Sequence, residues 1–343
     1  MKTYTSLWQK LTSFKNLYLA YKKAKKAKPQ TTDALEFSIN LEKNIVLLQE
    51  ELLTDNYKQS KYRTFIIFDP KQRIIKYLPF KDRVVHHAIV NIIEPIFEKR
   101  FISTSYACRK KKGTHKALKD IRKVIYNKFK DTGYCLKGDI RKYFPSINQD
   151  ILKNIISRKI KDKKLLNLIF KIITSDHSDF GETKGIPIGN LTSQLFSNIY
   201  LNELDQYVKQ ELNIKYYYRY VDDFIILNVS KEELHIDKQK IKYFLKKRLD
   251  LDLPKRKCNV FKIKDGVDYV GYKLFPNKIL IRKRNLKRFL NKIKSKNTNK
   301  NYNSSIYSYL GYFKYANSYN LLLKIFEINK TYLREIELSK IYS

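Results

Sequence analysis

Three aspartates in this sequence could act together. Asp139 ends the run "YCLKGDI", and Asp222 and Asp223 stand side by side in "YRYVDDFIIL", between two apolar stretches. Adjacent carboxylates inside what reads as buried strand either form a hairpin turn, where Asp is common, or share a cation that offsets their repulsion. The chemistry such a cation would open is nucleotidyl transfer. That reaction needs an attacking hydroxyl, a triphosphate and an in-line geometry, and two divalent ions about 3.5–4 Å apart can stabilise both the entering and the leaving oxygen. Magnesium is hard, prefers oxygen, and is usually held by one or two carboxylates plus substrate phosphates. A site of this kind asks for few acidic ligands, carried on strands whose ends meet.

The chain holds the elements to position them. "NLYLAYKKAKKAKPQ" reads as a basic helix closing at Pro29. A second helix is expected from "TTDALEF", where Asp33 and Glu36 have capping-box spacing and Leu41, Ile45, Leu48 and Leu52 line one face. "YRTFIIFDPKQRIIKYLPF" contains two β-rich runs around a "DPKQ" turn, a hairpin with Lys71 and Arg73 near its tip. Helical patterns follow in "VVHHAIVNIIEPIF" and "THKALKDIRKVIYNKF". A strand then ends on Asp139, a helix starts soon after Asn148, and another from Asn190 buries Leu191, Leu195, Ile199, Leu204 and Val208. The Asp222–Asp223 hairpin leads into a helix and the strand-like "VDYVGYKLF". The last stretch reads as helical and basic, with Leu286, Phe289, Leu290 and Ile293 on one face. No internal repeat or low-complexity linker interrupts this continuous α+β body with its helical C-terminal appendage.

Composition bounds the partners. Across 343 residues there are 71 Lys plus Arg against 33 Asp plus Glu, a formal net charge of +38. An imbalance of that size implies a polyanion, nucleic acid before any other, bound with strong salt dependence. Codon bias explains part of the lysine content but would not remove acidic residues. Cys108, Cys135 and Cys258 lie far apart with no C-x-x-C pair, which argues against zinc and against a disulfide scaffold. His86 and His87, being adjacent, would face different sides of a helix. With no secretory signal and no apolar run of membrane-spanning length, the protein is expected to be soluble and intracellular, without a membrane partner.

In this order the motifs resemble those of a reverse transcriptase, from about residue 10 to about residue 320. The resemblance implies a right-hand polymerase fold: fingers and palm (an antiparallel sheet plus helices) over residues 1–276, and a helical basic thumb over 277–343. "KGDIRKYFPSI" is similar to the first catalytic motif and "YVDDF" to the second. Asp139, Asp222 and Asp223 would be catalytic, and Asp139, Ile140, Asp222 and Asp223 would form the site for two Mg2+ ions. Phe144, five positions after Asp139, matches the aromatic gate that crowds a ribose 2′-hydroxyl; plain core packing is the alternative. "DPKQRII" falls where the fingers hold the triphosphate, which suggests Lys71 and Arg73, although both also suit a solvated tip. Lys257 in "LPKRKC" matches a palm lysine near the pyrophosphate, or is one more surface lysine. "YACRKKKGTHKAL" gives Arg109 a claim on template or nucleotide, and "GVDYVGYKLFP" resembles the primer grip (266–276), which brings in Gly271 and Tyr272 as template or primer contacts. The aromatic "YYYRY" reads as sheet packing.

The stretch "GIPIGNLTSQ" narrows the subclass. Most relatives carry glutamine before the central glycine; here Ile188 precedes Gly189, and Gln194 follows, giving a nucleotide-binding set of Ile188, Gly189 and Gln194 beside the others. With "FKDRVVHHAIVNIIEPIFEKRF" upstream, this variant is similar to the enzymes of diversity-generating retroelements. That resemblance implies copying of a template-repeat RNA into cDNA with errors at adenines. The partners would be template RNA, primer or cDNA, dNTPs and a small basic accessory variability protein, in the cytoplasm of a bacterial, archaeal or phage-infected cell. A group II intron enzyme would be expected to continue into a maturation domain, and a retron enzyme to show Val-Thr-Gly where "DYVGYK" stands. An anti-phage reverse transcriptase and a non-catalytic RNA-binding relative are further readings.

Overall fold

The structure, a computed structural model, describes residues 2–27, 31–68, 72–130, 132–175, 183–294 and 301–328. The basic N-terminal helix spans Phe14–Ala27; its expected close at Pro29 lies outside the described residues. The helix expected from residue 32 is two, Thr32–Ile39 and Leu41–Leu53, parted at Asn40 (φ −113°, ψ 51°). Ile45, Leu48 and Leu52 are buried as the pattern implied. The capping box is not formed. Asp33 sits inside the first turn after Thr31, and its carboxylate accepts the N–H of Phe80 at 2.9 Å and faces Arg83 at 3.3 Å. It thus caps a different helix, Phe80–Glu98, whose preceding residue Pro79 has no side chain able to do so.

Strands β1 (Arg63–Ile67) and β2 (Arg73–Tyr77) form the expected antiparallel hairpin, with Ile67 opposite Arg73. Strands β3 (Tyr134–Asp139), β4 (Tyr217–Tyr220), β5 (Asp223–Asn228) and β6 (Cys258–Lys262) build an antiparallel sheet in the order β4-β5-β3-β6. The central strands read as unbroken apolar runs because both faces are buried. Leu136, Phe224 and Ile226 join one core with helices Phe80–Glu98, Leu191–Gln206 and Lys231–Leu249. Cys135, Ile225 and Leu227, one residue out of phase, join a second core with helix Thr114–Val124. A third sheet, β7 (Val267–Tyr269), β8 (Tyr272–Leu274) and β9 (Ile279–Ile281), closes that second core.

Sequence patterning reads "VDYVGYKLF" as one strand and reveals neither β6 nor β9. Because β9 pairs with β8, the sheet continues past residue 276, where a boundary was expected. Helices Lys283–Lys294, Asn301–Phe313 and Tyr319–Ile328 then pack around a separate small core that includes Phe289, Ile293, Leu310 and Phe313. No helix among the described residues is long and apolar enough to cross a membrane.

Gly138 lets β3 lie against β5. It stands opposite Phe224, and a Cβ there would run into the phenyl ring. Gly138→Ala is expected to destabilise the protein by about 1–3 kcal/mol through overpacking. A Gly138→Ala/Phe224→Leu double variant should recover part of that loss in denaturant titrations, whereas equal loss in single and double variants would exclude the ring as the cause.

Candidate active site

The ends of β3 and β5 bring the carboxylates together. Asp139 and Asp223 are register partners across the two strands, and Asp222 occupies the turn between β4 and β5. The Ile140 N–H reaches the Asp222 carbonyl at 3.4 Å, closing the sheet end. Ile140 buries its side chain in the first core, so its main-chain carbonyl is all it has to offer a cation.

The electrostatics of this corner are those of a site built around positive charge. Burial first, and then the negative charges of Asp223 and Asp139, push the Asp222 carboxyl up to about 6. Burial likewise raises Asp223, with Asp139 adding to it and Lys137 opposing. Oδ1 of Asp223 is buried without a hydrogen-bond partner, an acceptor that would otherwise cost desolvation energy. The ammonium of Lys257, on the short 3-10 turn before β6, forms an ion pair with Asp139 Oδ1. Clustered carboxylates, an orphaned acceptor and a lysine seated on one ligand fit a divalent cation. Among the described residues no three His, Cys, Asp or Glu side chains are grouped tightly enough to hold a metal ion alone.

The turn that carries Asp222 is strained. Val221 has φ +54°, a conformation that a β-branched residue seldom adopts. It is held by Arg219, whose side chain is 1% exposed beside a fully buried Asp205. Nε and Nη2 of Arg219 donate to the two oxygens of Asp205 at 2.7 Å each, while Nη1 donates to the Val221 carbonyl at 2.9 Å and to Asn198 Oδ1 at 3.3 Å. The Tyr217 hydroxyl completes Asp205 at 2.8 Å. Burial opposes the guanidinium charge, but Asp205 outweighs it and raises the Arg219 pKa.

Other residues singled out from the sequence lie at differing remove. Lys71 lies outside the described residues; Arg73 is exposed at the start of β2. Phe144 lies in the short helix Tyr143–Ser146, half-buried against the first core, with its carbonyl accepting from the Ile186 N–H at 3.1 Å. Ile188 docks on the hairpin: its carbonyl accepts the Lys76 N–H at 3.0 Å. Gly189 follows with φ +127°, and a Cβ there would collide with the Lys76 carbonyl oxygen. Gln194 is exposed in the first turn of helix Leu191–Gln206.

Two of the side chains expected at template or primer are turned inward. The Arg109 guanidinium is 5% exposed and donates to Glu98 and to the carbonyls of Ile102 and Ser105, so it braces its own loop instead of facing a template. Tyr272 is fully buried, stacked on Tyr312 at 4.3 Å with its hydroxyl on the Tyr312 carbonyl. Only backbone is left at Gly271 and Tyr272 to meet a primer, and Gly271 itself lies under the Tyr312 hydroxyl. Sequence reading missed Arg219, Asp205 and Lys137. The available signal was a lone arginine in an aromatic run that otherwise reads as buried strand.

If Arg219 sets the turn as well as the stability, the two effects can be separated. Arg219→Met strands the Asp205 charge and should cost about 3–5 kcal/mol. Arg219→Met/Asp205→Leu should regain most of that stability, yet the Val221 carbonyl stays unclamped, so turnover should remain depressed in kcat more than in KM. Recovery of stability and turnover together would show that Arg219 serves only the fold.

Residues 58–274, more than half of the chain, match the sequence family described as Reverse transcriptase (RNA-dependent DNA polymerase). Protein YkfC of Escherichia coli (strain K12) is 26% identical over 267 residues, covering 66% of this chain and 70% of that protein. The group II intron-encoded protein LtrA of Lactococcus lactis subsp. cremoris is 26% identical over 269 residues, 59% of this chain and 44% of that protein. The chain therefore spans less than half the length of LtrA. In fold it is similar to an apo telomerase from Candida tropicalis, with a TM-score of 0.51 and 13% identity over 82% of this chain and 63% of that one. The fold class expected from the sequence, α+β with a right-hand polymerase arrangement, is the one present. With the family match covering residues 58–274 and both aspartate motifs inside it, this chain belongs to the reverse transcriptase family of RNA-dependent DNA polymerases.

Proposed function

We propose that this chain copies a template-repeat RNA into cDNA, with errors concentrated at adenines, for a diversity-generating retroelement. The observation that carries the subtype is the 188–194 segment. It places isoleucine, which has no side-chain donor or acceptor, beside the hairpin expected to hold the nucleotide. Asp139, Asp222, Asp223 and the Ile140 carbonyl would hold the magnesium ions, two on this reading. When bound, magnesium supplies the charge that stabilises the attacking and leaving oxygens. The protein's own groups do the rest. Asp222 and Asp223 present their carboxylates from a turn fixed by Arg219. Lys257 neutralises Asp139 until substrate arrives and is then free to meet the pyrophosphate. Phe144 crowds the position of a ribose 2′-hydroxyl, while Lys71 and Arg73 take the triphosphate.

The template, the primer and its cDNA, dNTPs and a small basic accessory variability protein are the partners on this reading. The fingers and palm would run to about residue 281, where β9 ends, and the helices after it would form the thumb. A second reading, a reverse transcriptase of a group II intron-like system, is favoured by the likeness to a group II intron-encoded protein.

Magnesium-dependent primer extension on a homopolymer RNA tests the activity. Asp139→Asn and Asp222→Asn should fold normally and lose extension by orders of magnitude; near wild-type extension by either variant would overturn the ligand assignment.

The subtype is tested at Ile188. One positioning hydrogen bond is worth roughly 0.5–1.5 kcal/mol, so its absence would lower selectivity by about two- to tenfold if the loss falls on correct nucleotides. Ile188→Gln should therefore reduce misincorporation opposite template adenine more than opposite other bases, read by sequencing cDNA made from one defined RNA. An unchanged adenine error rate would leave Ile188 as packing.

A further inference from the structure

A groove of about 590 Å³ lies between helix Thr114–Val124 and the segment following helix Asn301–Phe313. Lys119, Arg122 and Lys314 line it, all exposed and none paired with a carboxylate among the described residues. The fourth cation of the lining, Lys116, is paired with Asp120. At one wall the His115 and Tyr315 rings stack at 3.5 Å between centroids and 15° between planes, and Tyr315 keeps 44% of its surface exposed. The lining includes no acidic residue and none of the three active-site carboxylates.

We propose that this groove is a second RNA-binding site, one that holds an unpaired segment of the template RNA apart from the nucleotides being copied. The inference rests on the reading that this chain copies RNA. Its chemistry is that of a single strand. Three unpaired cations spaced along two elements suit successive phosphates, and an aromatic shelf suits the face of a base that is not already stacked in a duplex. A duplex would present phosphates to the lysines but no free base to Tyr315. An acidic protein segment would meet the cations but gain nothing from the shelf. Because helix Thr114–Val124 and the 314–317 segment each supply part of the site, an RNA bound here would also tie together the two parts of the chain that form it.

The test uses the full chain, a fluorescein-labelled oligouridylate, which has no internal pairing, and a blunt RNA duplex as comparison. Lys119→Glu/Arg122→Glu/Lys314→Glu should weaken oligouridylate binding more than tenfold. It should also flatten the log–log salt dependence by about 2, at roughly 0.7 for each phosphate no longer neutralised. Tyr315→Ala should weaken oligouridylate binding roughly five- to a hundredfold while changing duplex binding far less. Magnesium-dependent extension at saturating primer–template should stay within twofold in both variants, which shows that they are folded. Unchanged oligouridylate affinity in either variant, or equal losses for duplex and single strand in Tyr315→Ala, would overturn the proposal. A wild-type chain that extends nothing would instead sink the polymerase reading, with the binding data still deciding the groove.

Discussion

A guanidinium sealed from water is stable in a folded protein only if its charge and donors are met, because the desolvation penalty rivals the Coulombic gain. Arg219 meets that condition through Asp205, Asn198 and the Val221 carbonyl, and its position fixes much else. Its main chain is bonded on both sides, the N–H to the Thr104 carbonyl and the carbonyl from the Tyr106 N–H. Asn198 in turn donates to the Ala107 carbonyl at 2.9 Å. One buried pair thus joins helix Leu191–Gln206, strand β4, the 104–107 loop and the aspartate turn. An apolar pair of similar volume could match its stability. It could not hold the Val221 carbonyl, and hence the strained turn, in place.

The same corner shows how function and stability pull apart. Asp222 and Asp223 are partly buried, and burial together with repulsion among the clustered carboxylates makes their charged forms costly. Lys257 offsets that cost at Asp139, and Lys137 lies near enough to oppose the shift at Asp223. These lysines compensate the acidic cluster only in part, within a chain whose net charge is strongly positive. Surplus basic charge favours a polyanion, whereas a local cluster of carboxylates favours a cation, so the two signs are kept to different parts of the surface.

What the sequence made legible follows from periodicity. Strands β3 and β5 were visible as short apolar runs bounded by turns, and the carboxylates at their ends followed from where those runs stop. The amphipathic helix Leu191–Gln206 was visible from its spacing of leucines. Edge strands were not: β6 is short and carries Asn259 within it, β9 is only three residues long, and both are defined by the neighbour they pair with. Arg219 was passed over because it pairs with a residue 14 positions away on another element, and no local pattern reports such a pairing. Tyr272 and Arg109 present the opposite case. Their types suit nucleic-acid contact, but burial, which a motif does not encode, turned both inward.

The hairpin of β1 and β2 leaves Phe65, Ile66 and Ile74 largely exposed, and Phe68 at 73%. A two-stranded ribbon with apolar side chains in water is marginal by itself, so what anchors it matters. The 188–189 segment extends it through the backbone bond from the Lys76 N–H to the Ile188 carbonyl, with Gly189 permitting the close approach. The next residue, Asn190, begins helix Leu191–Gln206 and donates to the Tyr62 hydroxyl at the foot of the hairpin. That helix carries Asp205, the partner of Arg219. The hairpin and the aspartate turn are consequently attached to opposite ends of one buried helix. The anchoring of the hairpin at residues 188–190 and that of the aspartate turn at Asp205 are therefore separated by almost the whole length of one buried helix.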